Sequence, residues 1–227
     1  MIGSLFFEVE GVLAATTSLR RAALVRALAE EGLVAADTVD LSDDTGNGTR
    51  ETVRHSLRKH AIAGDETALT LIALRAERHF AALVSAGVSL APGARELVTL
   101  AVSSCRLAIV TGLDRATVSA MLTLADLDGA FEVIIAAEDV AAAKPAPDAH
   151  RKALERMSRR RPVDPRTALA LEPGAAGARA AHADGLRCAV VAPFRVESIV
   201  DADAMLASLE GETPATLDAI LAIGSAR

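Results

Sequence analysis

Four short, unbroken apolar runs constrain this chain more than anything else in it. They are Leu107-Ala108-Ile109-Val110-Thr111, Val133 to Ala136, Ala168 to Leu171 and Cys188 to Ala192, and helical patterns separate them. None alternates apolar with polar, so each must be covered on both faces, which is how the strands of a parallel sheet under two helical layers read. The helical patterns are Arg95 to Ser103, a helix with Asp114 as N-cap running to about Ala125, one from about Pro147 to Ser158, and a stretch before Cys188. An apolar run at the N-terminus, Leu5 to Phe7, joins the same sheet.

Residues 15–88 break this rhythm. They hold no convincing strand but three helical patterns, Leu19 to Glu31, Arg50 to His60 and Glu66 to Ser85. The polar stretch Ser42 to Thr49, with Gly46 and Gly48, reads as a loop between two of them. A helical insert of about 70 residues, large enough for a small domain, therefore splits the α/β domain just after its first strand. Of the 227 residues 51% are apolar, which suffices for a sizeable core. With Tyr and Trp absent, that core must be built from Leu, Val, Ile and Ala.

The net charge of −6 argues against a nucleic-acid or anionic-membrane partner. It leaves room for small phosphorylated substrates, which local donors hold. Arg159 to Arg161 end a helix before Pro162 and read as a solvated terminus. Cys105 and Cys188 flank apolar runs without a CxxC or Cys/His cluster, so buried free thiols are expected. No stretch approaches the length of a membrane span, and no export signal is recognised, so a cytoplasmic location is expected.

Ligands of doubly wound sheets bind at the carboxyl ends of the strands, and that rule selects a short set of residues. Glu8 and Glu10 follow the first strand at i, i+2 spacing, which on an extended segment points both acids at one site. Thr111 and Gly112 end the second strand, directly before a helix whose free N–H groups suit an anion. Lys144 lies in Lys144-Pro145-Ala146-Pro147-Asp148, where two prolines stiffen the loop. Glu172 ends the Ala168 to Leu171 strand. Acids, a hydroxyl, a lysine and a helix N-terminus suit metal-assisted phosphoryl transfer.

In this order the residues resemble the haloacid dehalogenase (HAD) superfamily, and within it the β-phosphoglucomutase-like phosphatases. FFEVEGVL resembles the first motif, VTG the second, KPAPD the third and LEPGAAGARAAHADG the fourth, over nearly the whole chain. The resemblance implies an α/β chain with a doubly wound parallel-sheet (HAD-like Rossmannoid) core, residues 1–14 and 89–227, and an all-helical cap domain, residues 15–88. It also implies a Mg²⁺-dependent phosphatase acting on a small phosphorylated metabolite. Glu8 would be the nucleophile that becomes an acyl phosphate, and Glu10 the acid/base. Thr111, Gly112 and Lys144 would bind the phosphate. Glu8, Glu10 (through its backbone carbonyl) and Glu172 would hold Mg²⁺, and Arg20 would reach substrate from the cap.

The chain departs from the family pattern at three places. Both acids of the first motif are Glu where the family has Asp, Pro173 stands where the family has a second acid, and Arg20 stands where the sugar-phosphate mutases carry His. Each glutamate moves its carboxylate by roughly 1 Å, a displacement that can cost on the order of 100-fold in rate. Two further readings follow: a catalytically weak or inactive relative that binds a phosphorylated ligand or a protein, and a metal-free 2-haloacid dehalogenase. Arg20 itself reads either as a substrate contact or as half of a surface salt bridge.

Overall fold

A computed structural model describes residues 1–33, 49–59, 65–192 and 201–223. Its sheet has six parallel strands in the order β3-β2-β1-β4-β5-β6: β1 (Ser4–Phe7), β2 (Arg106–Val110), β3 (Val133–Ile135), β4 (Ala168–Glu172), β5 (Arg187–Val191) and β6 (Ala204–Leu206). The expected strands are all present. The additional β6 is a three-residue edge strand, half exposed, whose sequence Ala-Met-Leu is too short to carry a periodic signal. The expected polar loop 42–48 and the end of the Arg50 to His60 pattern lie outside the described residues.

Alternation along the strands sorts the core into two layers. Leu5, Phe7, Leu107, Ile109, Leu169 and Leu171 face one side, against α4 (Ala94–Ala101) and α5 (Arg115–Leu124). Phe6, Ala108, Val110, Ala168, Ala170, Cys188 and Val190 face the other, against α6 (Asp148–Ser158) and α7 (Ala175–Ala183). The second layer is rich in alanine on both the sheet and α7, so helix and sheet approach closely there. That closeness matters for the site.

Asp114 caps α5 as expected, its Oδ1 accepting from the Thr117 backbone N–H at 2.9 Å. Helices α1 (Thr17–Glu30), α2 (Thr49–Lys59) and α3 (Glu66–Ala86) share a separate core of Leu24, Leu28, Val53, Leu57, Leu69 and Ile72. Ala23, Phe80 and Val84 turn instead into the core on the sheet. The last described element is α8 (Pro214–Ile223). No described helix is long and apolar enough to cross a membrane.

Both cysteines are free and buried, and burial raises both thiols above their ordinary pKa. A thiol held protonated and out of water is unreactive. The native protein at pH 8 is therefore expected to leave both unlabelled by iodoacetamide, and the denatured chain to label at two sites, as counted by mass spectrometry.

Candidate active site

Strand β1 stops at Phe7, but the Glu8 N–H still donates to the Leu171 carbonyl at 3.0 Å, so Glu8 leaves the sheet in register with β4. Beyond it the chain turns. Leu13 and Ala14 N–H both reach the Val9 carbonyl, and Gly11 adopts φ +76°, a left-handed conformation that glycine takes without strain. The turn changes the expectation for the paired acids. Glu8 and Glu10 do not lie on one extended segment, and their side chains take separate partners.

Glu8 is 1% exposed. Its Oε1 accepts from the Val9 N–H at 2.7 Å and from the Thr111 hydroxyl, and its Oε2 accepts from Lys144 Nζ at 2.9 Å. Thr111 sits at the end of β2 with its N–H on the Ile135 carbonyl, and Gly112 connects it to the α5 cap. Lys144 is a buried residue, not a solvated one. It donates also to the Val110 carbonyl at 3.0 Å and to both oxygens of Glu172 at 2.6 and 2.7 Å. Glu172 is fully buried and accepts as well from His150 Nε2 at 3.0 Å. Glu8, Thr111, Lys144 and Glu172 thus form one buried cluster.

The charges in that cluster are unequal, with two carboxylates and one ammonium. Burial raises the pKa of Glu8 despite Lys144 beside it. Glu172, gripped by Lys144 on both oxygens, is held below the ordinary range although burial alone would raise it. The two carboxylates likewise outweigh burial at Lys144 and raise its pKa. Burial lowers the pKa of His150, and its Nδ1 has no partner among the described residues, so the neutral ring carries its proton on Nε2 and donates it to Glu172.

His150 and Gly177 are the site residues that sequence reasoning missed. His150 shares the buried face of α6 with Ala149, Ala153 and Met157, and a lone polar ring among such neighbours beside a strand end was the available signal. Gly177 gave none. A Cβ there would lie 1.9 Å from Glu172 Oε2, so only glycine lets α7 pass behind the carboxylate.

Glu10 belongs to a different constellation. Both its oxygens accept from Arg20, from Nε and Nη2 at 2.9 Å each, and Thr16 Oγ1 lies 3.4 Å away. Arg20 is not half of a surface ion pair. It is buried on α1 with its guanidinium 4.0 Å from the centre of the Phe80 ring, and it also donates to Glu77 at 3.2 Å and to Thr49. The pair therefore ties the turn after β1 to the three helices of the insert.

The donor set does not suit a divalent cation. Among the described residues no group of three or more His, Cys, Asp or Glu side chains converges to hold one. Every carboxylate oxygen of Glu8, Glu10 and Glu172 already accepts from a cation or an N–H donor, and residue 173 is proline.

Residues 5–191 match the family model described as haloacid dehalogenase-like hydrolase. The chain is 34% identical to the protein CbbY of Rhodobacter capsulatus, over 81% of this chain and 82% of that protein. Crystal structures of CbbY from Rhodobacter sphaeroides, one with phosphate and one of a mutant with xylulose-(1,5)bisphosphate, each superpose with TM-score 0.80 at 32% identity. Each alignment covers 96% of this chain and 99% or more of the other. A β-phosphoglucomutase from Clostridium difficile shares the fold, with TM-score 0.80 at 16% identity over the full length of both chains.

Proposed function

The chain belongs to the haloacid dehalogenase-like hydrolases, and we propose that it is a phosphatase for a small phosphorylated metabolite, with residues 15–88 as a cap over its site. One observation carries the reading. Among the described residues Glu8 Oε2 accepts only from Lys144, which leaves a lone pair free on a carboxylate whose other oxygen is anchored by Thr111 and the Val9 N–H. A carboxylate so fixed is a positioned nucleophile. Relatives that bind phosphate and a sugar bisphosphate support the choice of substrate class.

In the first step Glu8 Oε2 attacks phosphorus, the bond from phosphorus to the substrate oxygen breaks, and an acyl phosphate forms. The leaving oxygen takes a proton from Glu10, whose carboxylate picks that proton up from solvent once its pair with Arg20 has opened. In the second step water attacks the acyl phosphate, Glu10 takes up a proton from it, and Glu8 and phosphate are released. Thr111 and Lys144 supply the hydroxyl and the positive charge beside the transferring group, and the backbone from Gly112 leads it to the N-terminus of α5. Glu10 enters this sequence only when its pair with Arg20 opens. An anionic substrate arriving under the cap competes for that same guanidinium, which gives Arg20 its role in binding.

The test is turnover of an aryl phosphate and of xylulose 1,5-bisphosphate by the purified protein, compared with a Glu8→Gln variant. The parent is expected to exceed the variant by at least about 10³-fold, the scale at which a covalent nucleophile acts. Equal rates would reject the reading. A second reading, a binding protein with lapsed catalysis, is favoured by the near-complete burial of Glu8 and by Pro173. Changing Glu8, Glu10 and Pro173 together to aspartate separates the two. Activity that appears only in the triple variant marks a lapsed enzyme, whereas activity that falls marks glutamates adapted to catalysis.

A further inference from the structure

We propose that the nucleophile pocket uses the Lys144 ammonium in place of a divalent metal ion, with His150 and Gly177 locking Glu172 onto that ammonium. This rests on the assignment of Glu8 as the nucleophile, but it concerns the cation beside it.

Mg²⁺ asks for near-octahedral oxygen ligands and usually one or two carboxylates free to approach it. Glu172 is the carboxylate in this pocket that is not the nucleophile, and it has no freedom to turn. Lys144 holds both its oxygens, His150 donates to Oε1, and the bare Cα of Gly177 lies behind Oε2. Rotating the carboxylate toward a metal would break three charge-assisted or buried hydrogen bonds and leave the His150 ring, without a partner on Nδ1 among the described residues, with none on Nε2 either. The next residue, Pro173, offers neither a carboxylate nor an N–H.

The nucleophile gives the same answer. Glu8 Oε1 is filled by the Val9 N–H and Thr111, and Oε2 is the atom that must attack. A metal bound there would compete with the Lys144 ammonium for the one oxygen that chemistry needs. Glu10 turns its side chain to Arg20 and brings no negative charge back to the pocket. A tethered ammonium needs no dehydration from bulk water and is already hydrogen-bonded by three acceptors, two carboxylates and the Val110 carbonyl. His150 thereby acts as a positioning residue. It orients Glu172, and Glu172 orients Lys144.

Mn²⁺ titrated into the purified full-length protein with excess inorganic phosphate, with free Mn²⁺ counted by electron paramagnetic resonance, tests this directly. The parent is expected to show no site tighter than about 1 mM, the weak end of functional divalent sites. Lys144→Met, which removes the ammonium and leaves two acids facing each other, is expected to bind Mn²⁺ at least about tenfold more tightly than the parent. Where that variant does not fold, the titration of the parent still decides. A one-to-one site in the parent tighter than about 0.1 mM that Glu172→Gln removes would overturn the proposal. Aryl phosphate turnover is expected to be equal in EDTA and in excess Mg²⁺, and turnover that appears only with Mg²⁺ would also overturn it. Absence of turnover in both media counts against the phosphatase reading alone, because the Mn²⁺ titration reads the metal site without it.

Discussion

Gly177→Ala is expected to unseat the whole site and lower the melting temperature by roughly 10 °C. The added Cβ would stand 1.9 Å from Oε2 of Glu172 and 2.4 Å from its Cδ. A flexible surface glutamate would swing away at little cost, but this one is fully buried and held by Lys144 and His150. Either α7 moves off the alanine-lined sheet or Glu172 leaves Lys144. Overpacking of this kind costs about 1–3 kcal/mol, and separating a buried ion pair about 3–5 kcal/mol. A loss of about 3 kcal/mol in a domain of this size corresponds to ~10 °C. Calorimetry reads the stability, and phosphatase turnover should fall by at least about 100-fold through misplaced Lys144 and Glu8. A variant that melts with the parent and keeps its rate would show that Glu172 has room the geometry does not reveal.

Glu8→Gln should have the opposite signature, with activity lost and stability kept or raised. Two carboxylates share one ammonium in this pocket, so removing the charge of Glu8 leaves Lys144 and Glu172 as a balanced pair. The sign follows from the raised pKa of Glu8. A carboxyl that ionises less readily in the folded protein costs stability as it ionises. The cost is absent below the ordinary glutamate value of about 4.3 and grows as pH rises through the higher folded value. Parent and variant should therefore unfold alike near pH 4, with the variant equal or superior at neutral pH, as denaturant titrations at the two pH values would measure. A variant markedly less stable at neutral pH would mean that the Glu8 charge supports the fold, and the charge balance assigned to the cluster would be wrong. Active sites commonly trade stability for function in this sense.

Much of the fold was legible because its signals are local. Unbroken apolar runs at β2, β4 and β5, separated by helices, carry their own evidence of two-sided burial, and Asp114 announces the α5 cap within four residues. Strand-end position and the order of the four motifs together named Thr111, Lys144 and Glu172, and the structure brings these three and Glu8 into one cluster. The failures came where side-chain direction depends on a turn or on a distant element. Spacing of i, i+2 promised that Glu8 and Glu10 would face together, but the turn that begins at Val9, between them, leaves their side chains with separate partners. Arg20 looked like a residue of the surface until the packing of α1 against α3 buried its guanidinium against Phe80 and Glu77.

The sequence by itself therefore determined the parallel sheet, the helical insert and the strand-end positions of the acids, the hydroxyl and the lysine. Periodicity is set by neighbours along the chain, so one dimension suffices to read it. Only the tertiary structure decided which acid meets which base. Glu172 pairs with Lys144, 28 residues before it, because Gly177 and His150 leave its carboxylate no other direction, while Glu10 is drawn away to Arg20 by the insert. Those choices rest on distances of a few ångströms between buried charges. At that range desolvation and Coulomb terms are both large, and small displacements choose the winner.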